Sequence, residues 1–413
     1  MIQKFQEAGY NIVNFDEEAD FYVVNTCTVT NMSDRKSRQI LRRAKELNEK
    51  AIVVAVGCYV QVAKNEIDKI PEIDFTLGTN EKVNIVNNVE SFLENGQKIN
   101  IDDVLHNKNY GDFGDITYTE KTRAVIKVQD GCDRFCSYCI IPYARGRVRS
   151  RKPENVIKEI EDISKKGIKE VVITGIHVAS YGKDFNNQYG LIDLLEEINK
   201  IDGIERIRLG SIEPLWVSEE VIKRLTKLEK ICHHFHLSLQ SGCTETLKRM
   251  NRRYTAEEFK EIVERLRNAY EDVILTTDII VGFAGETEEE FNTTYNFLKE
   301  IKFYKTHIFK YSERKGTKAA EMPNQVPGNI KEERSKILLK LSDENEISYL
   351  NSYLGKKVKV LFEEREGEFY KGHTANYLMV KVKSTTDISN EILEVEIDEI
   401  DEIENLNLIG KIL

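Results

Sequence analysis

Between Ala124 and Ser312 the chain alternates a short apolar run with an amphipathic stretch six times over, and this alternation narrows the possible folds more than any other feature. The predicted strands lie near Ala124–Val128, Glu170–Thr174, Arg206–Ser211, Phe235–Leu239, Ile274–Gly282 and Thr306–Tyr311. Predicted helices between them include Pro153–Lys166, Gly190–Lys200, Ser218–Leu228, Ala256–Tyr270 and Thr287–Lys302. Strands separated by helices run parallel in one sheet. Six units instead of eight imply a partial (β/α)6 barrel, open along one side. The fold class is α/β, and functional residues are expected at the carboxyl ends of the strands.

The flanking segments read differently. Residues 1–96 alternate strands and helices on a smaller scale. Phe21–Val24 runs into Asn25-Thr26-Cys27, a helix from Asn31 to Asn48 is capped by Asn31 or Ser33, and Ala51–Val56 ends at Gly57-Cys58. A further helix is expected over Glu81–Asn95. Both cysteines thus follow strand ends, the edge where open α/β sheets place ligands. Residues 97–122 lack periodicity and read as a linker. The barrel domain with a long exit helix, Lys331–Tyr353, spans 123–353. Residues 354–413 carry five short strands and predict a small β-barrel of an oligonucleotide-binding kind.

Composition serves mainly to exclude. At 413 residues the chain exceeds one ordinary domain, and no apolar run approaches the length of a bilayer span. The start, Met1-Ile-Gln-Lys, lacks the pattern of a secretion signal, so a cytoplasmic location without membrane contact is expected. A net charge of −10 argues against indiscriminate nucleic-acid binding. Seven cysteines, an odd number, do not suggest a disulfide framework. Three of them crowd into the eight residues Cys132–Cys139, directly after the first barrel strand.

Three thiolates on one short loop can hold three irons of a [4Fe–4S] cubane and leave the fourth iron open to a small molecule. A zinc site would need a fourth ligand that no nearby segment supplies. The C-x₃-C-x₂-C spacing of Cys132, Cys136 and Cys139 resembles that of the radical S-adenosylmethionine (SAM) enzymes. That resemblance implies SAM chelated at the open iron and cleaved to a 5′-deoxyadenosyl radical, the cofactor carrying the difficult chemistry.

A closer resemblance follows from Gln129-Asp-Gly-Cys-Asp-Arg-Phe-Cys-Ser-Tyr-Cys-Ile-Ile-Pro-Tyr-Ala-Arg-Gly146, which is similar to the methylthiotransferases, and it covers almost the whole chain. It implies an N-terminal cluster-binding domain, a radical SAM barrel and a C-terminal TRAM barrel. Subgroups modify threonylcarbamoyl-adenosine in tRNA, isopentenyl-adenosine in tRNA, or a ribosomal-protein aspartate. The segments Thr174–Gly182 and Gly210-Ser-Ile-Glu-Pro214 resemble the threonylcarbamoyl subgroup; the isopentenyl subgroup usually has Gln-Asn where Ile176-His177 stands. The family also holds a second [4Fe–4S] cluster on three N-terminal cysteines. Cys27 and Cys58 match two of them. The Gly-Cys segment carrying the remaining one has no counterpart, and Met1–Tyr10 resembles the end of the family's first helix. Two readings stand: roughly 20–30 residues precede this start, or the second cluster is incomplete. The first is preferred, because loss of an inner strand would expose Val23 and Val53.

By the same resemblance, Ser238 and Gln240 approach SAM from a polar strand face that also carries His234 and His236. Glu213 meets the SAM amino group or ribose, or else forms a structural salt bridge. Asp278 opens a segment that packs on adenine, and Arg253 pairs with the SAM carboxylate or an RNA phosphate. Tyr138 lies against the cluster or adenine. Arg145, Arg147, Arg149, Arg151 and Lys152 form a basic run read as gripping tRNA phosphates; Arg35, Lys36, Arg38, Arg42 and Arg43 form a second. Catalytic side chains beyond these stay unassigned. The function implied is conversion of N6-threonylcarbamoyladenosine at position 37, in the tRNA anticodon loop, to its 2-methylthio derivative. A low-potential electron donor and a sulfur donor are the further partners. The alternatives are the isopentenyladenosine enzyme and an RNA-binding protein with a defective second cluster.

Overall fold

A computed structural model describes residues 1–96, 101, 103–107, 109–114, 122–401 and 406–413. The chain divides into two compact units. The first comprises Met1–Thr117, Asp130–Arg149 and Ser312–Glu321; the second comprises Tyr118–Gln129, Ser150–Tyr311 and Met322–Leu413.

The first unit begins with α1 (Ile2–Glu7), β1 (Phe21–Thr26), α2 (Asn31–Leu47), β2 (Ile52–Gly57), α3 (Cys58–Val62), α4 (Lys64–Ile67), β3 (Phe75–Leu77) and α5 (Ile85–Asn95). The strands form a parallel sheet in the order β1-β2-β3. Val53, Val54, Ala55 and Val56 are fully buried because β2 is central and covered on both faces. Val23, on the edge strand, is partly buried beside Phe5 and Phe21. The helix after Cys27 is capped by Thr30, one residue before Asn31 and three before Ser33, the two expected caps, since the Thr30 hydroxyl accepts the Ser33 N–H at 3.1 Å. A 3₁₀ turn, Glu81–Asn84, precedes α5, so the helix expected over Glu81–Asn95 is tightened at its start. Half of the expected linker 97–122 lies outside the described residues. Its described part is not all solvent-exposed: Val104 is buried, and its carbonyl sits where a side chain on Gly146 would have to go.

In the second unit all six expected strands are present: β4 (Arg123–Asp130), β6 (Glu170–Gly175), β7 (Arg206–Leu209), β8 (His234–Gln240), β9 (Ile274–Val281) and β10 (Lys305–Lys310), with the two-residue β5 (Arg149–Ser150) beside β4. They form parallel sheets in the orders β5-β4-β6-β7 and β10-β9-β8. Ile212 bridges the two sheets: its N–H donates to the His236 carbonyl at 2.8 Å and its carbonyl accepts from Ser238 at 3.1 Å. The result is an open arc of six parallel strands. α6 (Ile141–Arg145) follows the cysteine loop, and α7 (Pro153–Lys165), α8 (Leu191–Ile198), α9 (Glu219–Leu225), α10 (Thr244–Arg249), α11 (Ala256–Ala269) and α12 (Glu288–Ile301) succeed it. Thr255 and Thr287 close capping boxes with Glu258 and Glu290, which fixes where α11 and α12 begin.

α13 (Gly328–Asn351) leads to β11 (Lys357–Glu366), β12 (Phe369–Thr374), β13 (Met379–Lys383), β14 (Ile392–Asp401) and β15 (Asn407–Ile412). These close into a barrel in the order β11-β12-β13-β15-β14, around Val360, Phe362, Tyr370, Val380, Val382 and Val395. Closure leaves no strand edge for pairing with other chains. No helix among the described residues is long and apolar enough to cross a membrane.

Candidate functional site

In the first unit β1 and β2 pair in register, Thr26 opposite Gly57, and a cysteine follows each strand end: Cys27 in the loop after β1 and Cys58 as the first residue of α3. Cys27 is exposed and Cys58 buried, and both act on the charge of Arg145. Gly57 makes the turn into α3 at φ +111°, where a Cβ would meet the Thr26 carbonyl at 2.9 Å and Lys82 Nζ at 3.0 Å. Arg314 fixes the turn behind Cys27, donating to Asn31 Oδ1 at 2.5 Å and to Thr28 Oγ1 and Asp34 Oδ2 at 2.6 Å.

The loop from Gly131 to Cys139 is pinned by its own backbone. Cys132 N–H donates to the Gly146 carbonyl at 3.0 Å, and Cys139 N–H to the Cys136 carbonyl at 2.9 Å. Gly131 stands at φ +72° with the Arg147 carbonyl only 1.8 Å from a would-be Cβ, so no other residue fits without moving the loop. Phe135 also takes a positive φ, 49°, stacked under the Arg147 guanidinium. The Arg134 N–H donates to Cys132 Sγ at 3.5 Å. All three cysteines stand outside any disulfide; Cys132 is buried, Cys136 and Cys139 half-buried.

This donor set fits a cluster. Three reduced cysteines on a rigid loop, one already receiving a backbone N–H, match the ligation of a cubane and its usual N–H···S support. Among the described residues no three His, Cys, Asp or Glu side chains converge on a single ion. Cys27 and Cys58 are two further free cysteines, directly after β1 and β2.

The basic run after this loop is placed differently from expectation. Arg145 turns inward, its Nε 3.0 Å from Cys58 Sγ and its Nη1 3.5 Å from Asp130. Burial opposes its charge, but Cys58 and Asp130 outweigh that and raise its pKa. Arg149 is buried on Asn80 and the Arg145 carbonyl, and Arg151 is buried on Glu159. Only Arg147 and Lys152 of the run are exposed. The run does not form a row of phosphate-gripping side chains, because alternate arginines find partners distant in sequence.

In the second unit, strand ends gather a polar group. Glu213, past β7, is almost fully buried; Arg252 donates to it at 2.9 Å and His177 Nε2 lies 3.4 Å away. His177 is itself held by Gln129 through its N–H at 2.7 Å and by Ser180 through Nδ1 at 2.8 Å. Arg252 and Tyr254 both donate to the Ser238 carbonyl, at 2.9 and 2.5 Å. Gln240 ends β8 at φ +73°, a strained setting for a non-glycine residue. Ser238, Gln240 and His236 alternate with the buried Phe235, Leu237 and Leu239 as strand periodicity requires. Asp278 pairs with His236 Nε2 at 3.1 Å. Arg253 is exposed, whereas its neighbour Arg252 holds Glu213. Tyr138 is half-buried on the cysteine loop. Sequence reasoning missed Arg252, His177 and Arg314 as site-building residues. For the first two, the Arg-Arg pair and the Ile176-His177 segment were visible signals; for Arg314 there was none.

The Cys232-His-His-Phe-His236 string is divided among separate partners. Burial pushes the Cys232 thiol up to about 11, His233 pairs with Asp272, and His234 and His236 both meet the Thr276 hydroxyl.

Residues 126–298 match the radical SAM superfamily, and residues 1–78 match a family described as uncharacterized protein family UPF0004. The chain is 42% identical over 402 residues to threonylcarbamoyladenosine tRNA methylthiotransferase MtaB of Bacillus subtilis (strain 168), covering 96% of this chain and 89% of that one. It is 38% identical to the tRNA-2-methylthio-N(6)-dimethylallyladenosine synthase of Caldicellulosiruptor saccharolyticus, covering 94% and 84%. Two structures of the radical SAM methyltransferase TsrM from Kitasatospora setae share the fold at 16% identity. Their TM-scores are 0.56 and 0.55; each match covers 74% of this chain, and 67% and 64% of those. Fold, cysteine loop and family match together define a radical SAM enzyme, a class that works with a [4Fe–4S] cluster and SAM. Within that class, the chain belongs to the methylthiotransferase family.

Proposed function

We propose that this enzyme converts N6-threonylcarbamoyladenosine at position 37 of tRNA to its 2-methylthio derivative. The observation that carries the reaction class is the rigid loop presenting Cys132, Cys136 and Cys139 as three thiols outside any disulfide. The choice of nucleoside is supported by the 42% identity to the Bacillus subtilis relative. Cys132, Cys136 and Cys139 would hold a [4Fe–4S] cluster, which would supply the one-electron reduction of SAM and with it the radical chemistry at the adenine. The protein's own part is to orient and exclude water. Glu213, fixed by Arg252 and His177, takes the SAM amino group or ribose; Ser238, Gln240 and Asp278 line the polar strand face; Tyr138 is a further candidate SAM contact, and the exposed Arg253 a candidate RNA-phosphate contact. Cys27 and Cys58 would hold part of a second cluster, whose chemistry is sulfur delivery. A single-stranded anticodon-loop base suits a closed pocket. The domain reading is an N-terminal methylthiotransferase domain over 1–96, a linker over 97–122, a radical SAM domain over 123–353 and a TRAM-like barrel over 354–413. An electron donor and a sulfur donor complete the partners, in the cytoplasm where tRNA is modified.

Nucleoside mass spectrometry of tRNA from a deletion strain is the test. Loss of the 2-methylthio threonylcarbamoyl nucleoside, restored by the gene but not by its Cys132→Ser form, is the expected result. Loss of the isopentenyl product instead would transfer the assignment to the reaction named for the Caldicellulosiruptor relative, which is 38% identical.

A further inference from the structure

The inward turn of Arg145, Arg149 and Arg151 leaves open where an RNA backbone is gripped, and the first unit holds a second basic surface. α2 carries six basic residues against two acidic, in a chain of net charge −10. One of those acids, Asp34, is buried and neutralised by Arg314. Helical periodicity sorts the rest: Ser37, Leu41 and Ala44 face the core, while Arg35, Lys36, Arg42 and Arg43 are exposed. Arg35 and Arg42, like Lys36 and Arg43, stand seven residues apart, so they form two rows separated by about 10 Å along the helix. Arg42 and Arg43 approach Glu72 and Asp16, at 3.8 and 2.8 Å, as half-exposed pairs. Among the described residues Arg35 and Lys36 have no acidic partner.

A groove of about 570 Å³ opens beside the N-terminal half of this helix, between α2, α3, α4 and the loop after β10. Its walls include Arg38, Lys64, Lys315 and Glu66, together with Ile140, the residue next to Cys139. Arg38 donates to the Tyr59 hydroxyl at 2.7 Å and so is held in place, while Lys64 and Lys315 are exposed. Arg38, Lys64 and Lys315 thus extend the basic helix face into a groove that reaches Ile140, beside the cysteine loop, with Glu66 the exposed acid in its wall.

Resting on the functional reading above, we propose that the exposed face of α2 and this groove bind the phosphodiester backbone of the tRNA substrate. A polyanion releases counterions when cations meet its phosphates, which makes binding steeply salt-dependent. Such a surface needs exposed cations in extended array, and Arg35, Lys36, Lys64 and Lys315 are that.

The test uses full-length protein with its cluster, and tRNA lacking the 2-methylthio group. Arg35→Glu/Lys36→Glu and Lys64→Glu/Lys315→Glu are compared with Lys336→Glu/Lys340→Glu, which changes net charge equally on exposed positions of α13. Each of the first two pairs is expected to weaken tRNA binding at least tenfold at about 150 mM salt. The slope of log affinity against log salt should fall by about 1.4–1.8, as for two lost phosphate contacts. Iron content and SAM cleavage without tRNA should stay unchanged, and the α13 pair should bind normally. If the wild type binds tRNA and the α2 and groove variants bind as tightly, the proposal fails while the functional reading stands. It fails in the same way if those variants lose only reduction by an acidic flavodoxin-type protein, which would make this face a protein-docking surface. If the wild type binds no tRNA, both fall.

Discussion

Two neighbouring arginines show how much a single position decides. Arg252 and Glu213 have side chains 6% and 3% exposed and stand 2.9 Å apart, while Arg253 faces solvent. A buried carboxylate that loses its guanidinium partner becomes an uncompensated charge, which costs about 3–5 kcal/mol. Arg252→Leu should therefore lower the denaturant midpoint clearly and weaken SAM binding as well. Glu213→Gln keeps shape and hydrogen bonding; it should weaken SAM binding at least tenfold with a much smaller stability loss. Arg253→Ala should change neither. Equilibrium dialysis with SAM and denaturation curves would check this. Equal loss of SAM affinity in the Arg253 variant would return the role to the exposed residue.

At the scale of elements, β8 couples the stability of the second unit to pH at both ends. Burial, then the nearby Arg208, holds the His234 pKa well below its usual value. Below about pH 6.5 the unfolded chain protonates this imidazole and the folded chain does not. The unfolded state then binds more protons, and stability falls as pH drops. Cys232, two residues earlier, does the reverse: burial raises its thiol from 9.0 to about 11. Above pH 9.0 the unfolded thiol ionises while the folded one stays protonated, so stability falls as pH rises. Denaturation midpoints should be flat between these limits and decline outside them, by up to about 1.4 kcal/mol per pH unit for each group. His234→Phe should make the acid limb shallower and Cys232→Ala the alkaline one, the remaining slope coming from groups such as Asp272, lowered by His233, and Tyr270, raised by burial; unaltered limbs would remove this account. Strand alternation made this element legible in advance: His234, His236, Ser238 and Gln240 were expected on one face, and Phe235, Leu237 and Leu239 are buried on the other. The six barrel strands were legible as short apolar runs, also a local property of the chain; β7, buried at every residue, shows no alternation. The basic run from Arg145 to Lys152 was not. Its alternation was visible, but which phase faces inward depends on Asp130, Asn80, Glu159 and Cys58, whose proximity only the fold creates. The cap at Thr30 was missed by one residue from Asn31 and three from Ser33, a segment where capping residue types cluster.

For the whole molecule, the terminal barrel is built into the second unit instead of hanging from its exit helix. Arg206 donates to the carbonyls of His373 and Lys359 at 2.7 and 3.0 Å, and Arg208 to those of Ala375 and Thr374 at 3.0 and 3.3 Å. Both guanidiniums are buried and share Glu170, itself fully buried. Tyr377, held at φ +77°, lies between His234 and His373 with Arg208 over its ring at 4.7 Å. An appended RNA-binding module would need none of this, since a flexible linker positions such modules well enough. A buried charge network at its base ties the barrel's orientation to β6 and β7. Arg208→Met would keep the volume but leave Glu170 with a weaker partner and take the Arg208 donor from the Ala375 carbonyl, costing about 1–3 kcal/mol, while the Thr374 carbonyl keeps the Tyr377 N–H. The barrel should then open from the strands more often than the protein unfolds as a whole. Limited proteolysis across Ser352–Gly355 reads that opening directly, because cleavage of a transiently exposed segment tracks the open population. The variant should be cut there at least tenfold faster than wild type, while β8 and β9 keep their hydrogen-exchange protection. Equal cleavage rates would mean that the apolar core around Val360 and Tyr370 holds the barrel in place without the arginines.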